Sequence, residues 1–301
     1  MTEPDPDFFR IDRRQMRAAF ERAATTYDQV AVLQRVIGER LIERLDLVRL
    51  TPENILDAGA GTGSMSETLA RHYPGARVIA VDLSTAMLQV ARRRSSWLDR
   101  WRGRRIFVCA DVERLPVADA RVDLVISNLT LQWCNDVDRA FAAFRRVLRP
   151  GGLLMFTTFG PDTLKELRAS WSRADAYNHV NAFADMHDIG DALVRAGFSG
   201  PVMDREDMRL TYRDVASLMH DLKALGAHNM TWGRPRGLTT PRRLARMVEA
   251  YESYRTDECV PATYEVLYGH CWAETGTGVK PARSDEIRVP LSGIARPGKP
   301  R

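Results

Sequence analysis

The sequence predicts an α/β protein in which helices flank a mostly parallel sheet of seven strands. Apolar runs of strand length alternate with segments of helical periodicity from Asn54 to Phe159, which is the pattern of a doubly wound sheet. A glycine-rich turn, Gly59 to Gly63, directly follows the first strand, and a helical pattern follows the turn. An acidic residue, Asp82, ends the second strand 19 residues beyond Gly63. Nucleotide-binding folds place a carboxylate for the ribose hydroxyls at that position.

Composition narrows the class of protein. The chain has 301 residues, of which 45% are hydrophobic and 28% are charged, as in an ordinary globular protein. No apolar run approaches the roughly 18 residues that cross a bilayer, and the acidic, proline-broken start is unlike a secretory signal. We therefore expect a cytoplasmic protein without membrane contact. The four cysteines form no C-x-x-C pair, so no metal site is expected.

The elements follow in chain order. Apolar residues recur at helical intervals between Phe9 and Leu47, so residues 1–50 are predicted to form a helical lid over the mouth of the fold, or a packed helix pair. The predicted strands are Asn54–Ala58, Arg77–Asp82, Arg105–Cys109, Leu124–Ser127, Leu153–Phe159, Val202–Thr211 and Thr263–Cys271. The predicted helices lie near 64–73, 84–95, 136–148, 162–174 and 185–196, and Arg149–Gly152 is predicted to be a turn.

Two further helical segments, about 213–226 and 240–255, precede the last strand. They predict a helical insertion, about 213–256, on the ligand side of the sheet, where insertions usually select the substrate. Glycines, prolines and charges predict a disordered tail over 273–301.

The glycine spacing indicates which nucleotide is bound. A dinucleotide fingerprint reads G-x-G-x-x-G, so that amides at a helix N-terminus meet a pyrophosphate. Here Gly59, Gly61 and Gly63 give G-x-G-x-G, and the preceding Asp57 would repel a pyrophosphate but suits an ammonium. The pattern resembles motif I of the class I S-adenosylmethionine-dependent methyltransferases, whose cofactor carries a sulfonium and an amino acid. An ordinary turn and a degenerate dinucleotide site are the alternatives.

This resemblance implies a Rossmann-like methyltransferase domain over 51–272, ending in an antiparallel strand pair, and further cofactor contacts. Asp111, with Val112, follows the third strand, where this fold presents a carboxylate to the adenine amino group; a helix cap is the alternative. Leu83 and Met87 follow Asp82, and Met87 either covers the adenine or belongs to the core. Residues after the fourth strand are expected where the methyl donor and the acceptor meet. The backbone and side chain of Asn128 would hold the amino acid portion of the donor, and Gln132 would offer a hydrogen-bond donor. Trp133 either forms an aromatic wall of the site or fills the core.

Methyl transfer from a sulfonium is a direct displacement, so the protein mainly aligns the nucleophile and removes water from it. An amine or phenol acceptor usually needs a base, whereas a carboxylate, with a pKa of about 4, is already ionised at neutral pH. No Ser-His-Asp set and no paired carboxylates are recognisable in the sequence. The absence of a base is compatible with a carboxylate acceptor without selecting it.

From about Phe20 to Trp272 the sequence resembles the malonyl-acyl-carrier-protein O-methyltransferases of biotin synthesis. Some matching stretches are shared by many methyltransferases, namely residues 20–28, 82–88, 127–129 and 132–134. More specific ones are 156–159 (FTTF), 163–167 (TLKEL), 222–227 (LKALGA) and 264–269 (YEVLYG). The sequence departs from the family pattern at Ala60, where many relatives have cysteine. This difference puts little of the resemblance in doubt, because the backbone and not the side chain binds the cofactor at this position.

The resemblance implies methylation of the free carboxylate of a malonyl thioester on acyl carrier protein, or of malonyl-CoA. It also implies that Tyr27 and Gln34 close over the cofactor and the malonyl group. Lys223 or a nearby arginine would pair with the carboxylate or with the carrier's phosphopantetheine. The clusters Arg92-Arg93-Arg94 and Arg145-Arg146 either receive an acidic carrier or are solvated helix faces.

Three other functions share this cofactor signature. A small-molecule methyltransferase has the same elements up to Phe159, and only the insertion argues against it. An RNA methyltransferase would use the net charge of +5, but we expect no nucleic-acid partner because no RNA-binding module and no aromatic-basic interleaving is recognised. An assembly factor or hydroxylase would keep the cofactor pocket without transferring methyl groups.

Overall fold

The structure is a computed structural model that describes residues 10–227, 229–234, 237 and 239–274. Its strands are β1 (Asn54–Ala58), β2 (Arg77–Asp82), β3 (Arg105–Cys109), β4 (Val122–Asn128), β5 (Leu148–Phe159), β6 (Phe198–Tyr212) and β7 (Val260–Ala273). They form one seven-stranded sheet in the order β3-β2-β1-β4-β5-β7-β6. The first five strands pair in parallel, and β7 runs antiparallel between β5 and β6. The predicted α/β fold and the antiparallel final pair are confirmed.

Helices pack on both faces of this sheet. They are α1 (Arg13–Ala23), α2 (Tyr27–Val30), α3 (Val32–Leu45), α4 (Ser64–His72), α5 (Thr85–Arg94), α6 (Trp97–Trp101), α7 (Val137–Val147), α8 (Lys165–Ala174), α9 (Met186–Arg195), α10 (Val215–Ala224) and α11 (Pro241–Glu252). The N-terminal stretch forms three helices, because the chain turns at 24–26 and again at Ala31. The short helix α6 was not predicted, since its five residues span little more than one turn; the Ser96 hydroxyl caps it.

The predicted turn at Arg149–Gly152 is wrong. These residues belong to β5, where the pairing with β4 shifts register: Val122 pairs with Leu148 and Leu124 with Leu153. Gly151 takes a φ of 77°, which allows the chain to bulge inside the strand. The proline and glycines therefore mark a bulge between two paired segments.

Helix α3 lies on the sheet beside β4 and β5. Its residues Ile37, Leu41 and Leu45 are fully buried and share one core with Ile55 of β1 and Leu124 of β4. Burying each of these side chains contributes about 2 kcal/mol, so this packing fixes α3 above the end of β4. At Gly38 an added Cβ would lie 3.2 Å from the Asn128 amide nitrogen, which shows how closely α3 approaches that strand end.

The helices α10 and α11 lie between β6 and β7 in the chain, as predicted for the insertion. Helix α11 packs on α8, and the Tyr251 hydroxyl donates to the Pro261 carbonyl oxygen at 2.7 Å. No helix in the described part of the chain combines the length and the apolar character that a bilayer span requires. The predicted tail lies outside the described residues apart from Ala273, which ends β7, and Glu274; the first nine residues of the predicted lid also lie outside them.

Candidate active site

The glycine-rich turn after β1 has a left-handed backbone. Gly59, Gly61 and Gly63 have φ values of 83°, 53° and 82°. An added Cβ would lie 1.9 Å from the Thr130 hydroxyl oxygen at Gly59 and 2.7 Å from the Ala91 Cβ at Gly63, whereas at Gly61 it would enter open space. Two of the glycines thus allow close packing, and Gly61 keeps the space above the turn open.

That space is a cavity at the carboxyl ends of β1, β2 and β4, which we call the cofactor cavity. Eight residues predicted to bind the cofactor line it: Gly59, Gly61, Asp82, Leu83, Met87, Asp111, Val112 and Asn128. Tyr27 and Trp133, predicted to be catalytic, line it as well. The other three predicted cofactor residues, Gln34, Asp57 and Gly63, do not.

Asp82 is positioned by the backbone on both sides. One carboxylate oxygen accepts the Gly61 N–H at 2.8 Å and the other accepts the Ser84 N–H at 2.8 Å. Burial raises the pKa of Asp82, and these backbone donors oppose the rise. A carboxylate has about four lone-pair positions, so two remain for the hydroxyls of a ribose.

Asp57 lies below the turn and is 1% exposed. It accepts a hydrogen bond from the Ser66 hydroxyl of α4 at 2.5 Å. Burial raises the pKa of Asp57 to about 7, and the nearby Asp82 adds to the rise. Asp57 does not line the cavity, so its predicted role in cofactor binding stays a prediction; its bond to Ser66 ties α4 to the end of β1.

Asp57→Asn is expected to remove a pH dependence of stability. The folded wild type without ligand keeps Asp57 protonated up to about pH 7, whereas the unfolded chain loses this proton near pH 4. The free energy of unfolding therefore falls as the pH rises between these values, by at most about 4 kcal/mol. Thermal denaturation at about pH 5 and about pH 8 should show a larger loss in the wild type than in the variant. An equal loss in both proteins would contradict the buried, protonated state.

Asp111 has protein partners on both oxygens. One oxygen accepts the Glu113 N–H at 3.0 Å, so the alternative role of a helix cap is present. The other forms an ion pair with Arg13 of α1, which also pairs with Glu113. The adenine contact of Asp111 remains a prediction, and these bonds give the residue a second role, fastening α1.

A further set of bonds continues this attachment of α1. Glu113 accepts the Asn135 N–H at 2.8 Å, and the Asn135 side chain bonds both the Ile11 N–H, at 2.8 Å, and the Ile11 carbonyl oxygen, at 3.1 Å. The Asp12 N–H donates to the Met230 carbonyl oxygen at 2.9 Å. The start of α1 is therefore bonded both to the sheet edge and to the insertion.

The Asn128 side chain is engaged in holding α3. Its amide nitrogen donates to the Gln34 carbonyl oxygen at 3.0 Å, and its amide oxygen accepts the Thr157 hydroxyl at 2.7 Å. That the Asn128 backbone and side chain hold the amino acid portion stays a prediction: the amide keeps one N–H and one lone pair after these bonds, and Asn128 lines the cavity. The side-chain oxygen of Gln34 is buried and has no hydrogen-bond partner among the described residues. It is an acceptor suited to an ammonium group.

A second cavity, of about 230 Å³, lies between α3, the ends of β5 and β7, and the insertion. We call it the acceptor cavity. Its polar lining consists of Gln29, Gln34, Gln132, Thr163, Asn181, Tyr212, Asp221, Tyr264 and the indole of Trp133, and no lysine or arginine of the described chain is among its lining residues. Trp133 also lines the cofactor cavity, so its ring stands where the two cavities meet.

The predicted catalytic residues separate into two groups. Trp133 packs edge to face on Phe20 of the lid, with ring centroids 5.2 Å apart, and the Gln132 amide donates to the Leu129 carbonyl oxygen at 2.8 Å. Tyr27 joins them from the lid; burial raises its pKa well above the ordinary value, so the phenol remains protonated and serves as a donor. Lys223 lines neither cavity and lies at a separate groove of the insertion.

Sequence reasoning missed several lining residues. Arg13, Phe20 and Thr130 line the cofactor cavity, and Asn181 and Tyr212 line the acceptor cavity. Phe20 lies in the stretch 20–28, which many methyltransferases share, and this signal could have identified it as a site residue. Asn181 lies in an irregular segment without any pattern that would indicate it.

The prediction that basic and aromatic residues are not interleaved is also wrong. Seven arginines and two tryptophans alternate between Arg92 and Arg105. Trp97 and Trp101 are 70% and 80% exposed. None of these residues lines the cofactor or the acceptor cavity, so the segment is a surface apart from the candidate active site.

The parallel sheet, the glycine turn and the paired cavities define a class I S-adenosylmethionine-dependent methyltransferase. A family model described as a methyltransferase domain matches residues 56–156. The crystal structure of YcgJ from Bacillus subtilis has the same fold, with a TM-score of 0.55 at 14% identity, covering 78% of this chain and 98% of that one.

Relatives identify the particular family. The malonyl-[acyl-carrier protein] O-methyltransferase of Gallionella capsiferriformans is 53% identical over 266 residues, which are 88% of this chain and 92% of the relative. The enzyme of the same name from Nitrosospira multiformis is 49% identical over 93% of each chain. The chain belongs to the malonyl-[acyl-carrier protein] O-methyltransferase family.

Proposed function

We propose that this enzyme methylates the free carboxylate of a malonyl thioester on acyl carrier protein, giving the methyl ester and S-adenosylhomocysteine at the start of pimeloyl synthesis for biotin. The observation that carries the proposal is an acceptor cavity that meets the cofactor cavity at Trp133 and offers neutral hydrogen-bond donors. The names of the relatives supply the substrate.

The residues of the cofactor cavity fit S-adenosylmethionine. Asp82 retains free lone pairs for ribose hydroxyls, and Gly61 leaves open space above the turn. When bound, the cofactor supplies a methyl group on a sulfonium, which a nucleophile takes by direct displacement. The protein's own contribution is to hold the acceptor in line and to exclude water.

Neutral donors suit a carboxylate nucleophile. A lysine or arginine at the carboxylate would stabilise its charge and weaken it as a nucleophile, whereas amides orient it and leave it ionised. Gln29, Gln132 and Asn181 line the acceptor cavity and are the proposed donors, with the indole N–H of Trp133. No residue has to remove a proton, because a carboxylate is already ionised at neutral pH.

The ester has a clear physical purpose. Enzymes that elongate acyl chains bind them in apolar channels, where an unpaired carboxylate would cost several kcal/mol or more. Methylation removes this charge, so the capped chain enters such a channel like an ordinary acyl group.

Tyr27→Phe is expected to lower methyl transfer while cofactor binding persists. The phenol remains protonated, and the ring is held in the lid, where the neighbouring Asp28 accepts the Thr62 hydroxyl at 2.7 Å. Loss of one hydroxyl donor costs about 1–3 kcal/mol, so kcat should fall about 10- to 100-fold. Steady-state assays with calorimetry of S-adenosylhomocysteine test this, with Tyr177→Phe, an exposed tyrosine, as the control. Unchanged turnover at saturating malonyl carrier would contradict the role of Tyr27.

Labelled cofactor with a panel of acceptors tests the function itself. Malonyl carrier protein should accept the methyl group, with malonyl-CoA as the thioester alternative, and free malonate and RNA should not. Transfer to free malonate would favour a small-molecule methyltransferase. Transfer to RNA would favour an RNA methyltransferase, with the basic segment around Trp97 as its candidate RNA-binding surface. Cofactor binding without transfer to any acceptor would favour an assembly factor.

The domain organisation supports the same function. We propose that residues 1–50 form the lid, that 51–272 form the methyltransferase domain with its insertion at about 213–256, and that the protein works in the cytoplasm. The support is that α1 and the insertion approach each other above the cavities, at Asp12 and Met230. Release of the lid for substrate entry would then require breaking these bonds.

A further inference from the structure

The insertion contains a third cavity, of about 800 Å³, which we call the insertion groove. It lies between α8, α10, α11 and the segment 178–183. Five residues line both this groove and the acceptor cavity, namely Leu164, Asn181, Phe183, Leu222 and Ala227. The groove therefore adjoins the acceptor cavity, where the acceptor carboxylate is expected.

The groove is apolar with a few polar groups along it. Leu167, Trp171, Val215 and Met247 supply buried apolar surface, and Asn178, His179 and Asn229 also line it. A lining of this kind fits a ligand that is mostly aliphatic and carries a few amides. Pockets for small ligands commonly combine apolar walls with a few placed polar groups in this way.

His179 is held firmly in this lining. Its ring stacks on Trp171 with centroids 3.7 Å apart and planes 6° apart, and its Nε2 lies 2.8 Å from an Asp175 oxygen. This contact engages Nε2, so Nδ1 is the ring nitrogen left for a polar group of a ligand. The second Asp175 oxygen is buried without a hydrogen-bond partner among the described residues.

Cations gather at the rim of the groove. Arg22 of α1 and Lys223 of α10 are exposed and line both the groove and a shallower depression beside it. Neither makes an ion pair with another residue of the described chain. Two uncompensated cations beside an apolar channel are suited to a phosphate group.

We propose that the insertion groove binds the phosphopantetheine arm of the carrier protein, with the malonyl end in the acceptor cavity and the phosphate at Arg22 and Lys223. The arm carries aliphatic segments, two amides and one phosphate, and the groove offers apolar walls, polar side chains and two exposed cations for these groups. The proposal rests on the proposed function, and of the two partners predicted for Lys223 it selects the phosphopantetheine and not the carboxylate.

Two substrates that differ by one phosphate test the proposal. Malonyl-phosphopantetheine and malonyl-pantetheine are compared by kcat/KM in the full-length wild type and in Lys223→Ala and Arg22→Ala. In each variant the ratio of kcat/KM for the phosphorylated over the unphosphorylated thioester should fall about tenfold. Arg93→Ala is the control, because Arg93 is exposed on α5 and lines none of these cavities.

The possible results distinguish a failure of the phosphate site from a failure of the proposed function. An unchanged ratio in both variants, with wild-type transfer to both thioesters, would overturn the phosphate site and leave the methyl transfer intact. The same fall in Arg93→Ala would show a general charge effect and would also overturn the site. If the wild type methylates neither thioester nor malonyl carrier protein, the proposed function itself fails.

Discussion

Gly59→Ala is expected to abolish cofactor binding and to destabilise the fold. The added Cβ would lie 1.9 Å from the Thr130 hydroxyl oxygen and 2.7 Å from the Thr130 Cβ, so either the turn or the end of β4 must move. The left-handed backbone, with a φ of 83°, adds strain for any residue with a Cβ. The two effects together cost about 2–4 kcal/mol. Calorimetry with S-adenosylhomocysteine should give no measurable heat of binding, and the Tm should fall by several degrees.

Gly197→Ala is the matched control for this variant. Gly197 has a φ of 80°, but an added Cβ there meets no atom within 4 Å. It therefore reproduces the backbone strain of Gly59→Ala without the collision, and far from the cavities. Cofactor affinity should be unchanged in Gly197→Ala. The free energy of unfolding of this variant should fall by about 1 kcal/mol, which thermal denaturation detects as a lower Tm. Normal cofactor binding by Gly59→Ala would contradict the packing of Thr130 on the turn.

Asp82→Asn is the second substitution with a large expected effect. The two carboxylate oxygens accept the N–H groups of Gly61 and Ser84, one each. An asparagine has one acceptor oxygen, so one of these donors would face an NH₂ group, and the charge that polarises ribose hydroxyls would be lost. We expect the Kd of S-adenosylmethionine to rise about 100-fold, equivalent to about 2.8 kcal/mol.

Asp188→Asn on the surface of α9 serves as the control for Asp82→Asn, since Asp188 lines none of the cavities described above. Thermal denaturation without cofactor measures the structural part of the effect separately. If Asp82→Asn binds S-adenosylmethionine with wild-type affinity, the Asp82 carboxylate does not bind the ribose.

The sheet could be predicted well because its signals are local. Strands β1, β2 and β3 begin and end at the predicted residues, since apolar runs are bounded by turn residues and an acid (Asp57, Asp82 or Asp111) lies within two residues of each strand end. The bulge at Gly151 could not be predicted in this way, because the same proline and glycines also suit a turn. Only the pairing of Leu148 with Val122 on the neighbouring strand distinguishes the two.

The site was predictable where residues follow a strand end and less so elsewhere. Asp82, Asp111 and Trp133 line the cofactor cavity as expected from their positions. Asn128 also lines it, but the bond from its side chain to the Gln34 carbonyl oxygen could not be predicted, because Gln34 belongs to a helix distant in sequence. The same reason explains Arg13: its ion pairs with Asp111 and Glu113 depend on how α1 crosses the fold, which no spacing in the sequence encodes.

A structure of the enzyme with S-adenosylhomocysteine and a non-hydrolysable malonyl-phosphopantetheine analogue would test the central claim most directly. We predict that the carboxylate lies beside Trp133 among the amides of the acceptor cavity, that the arm follows His179 through the insertion groove, and that the adenosine ribose contacts Asp82. A carboxylate paired with Lys223 or another cation, or a ribose away from Asp82, would contradict this arrangement.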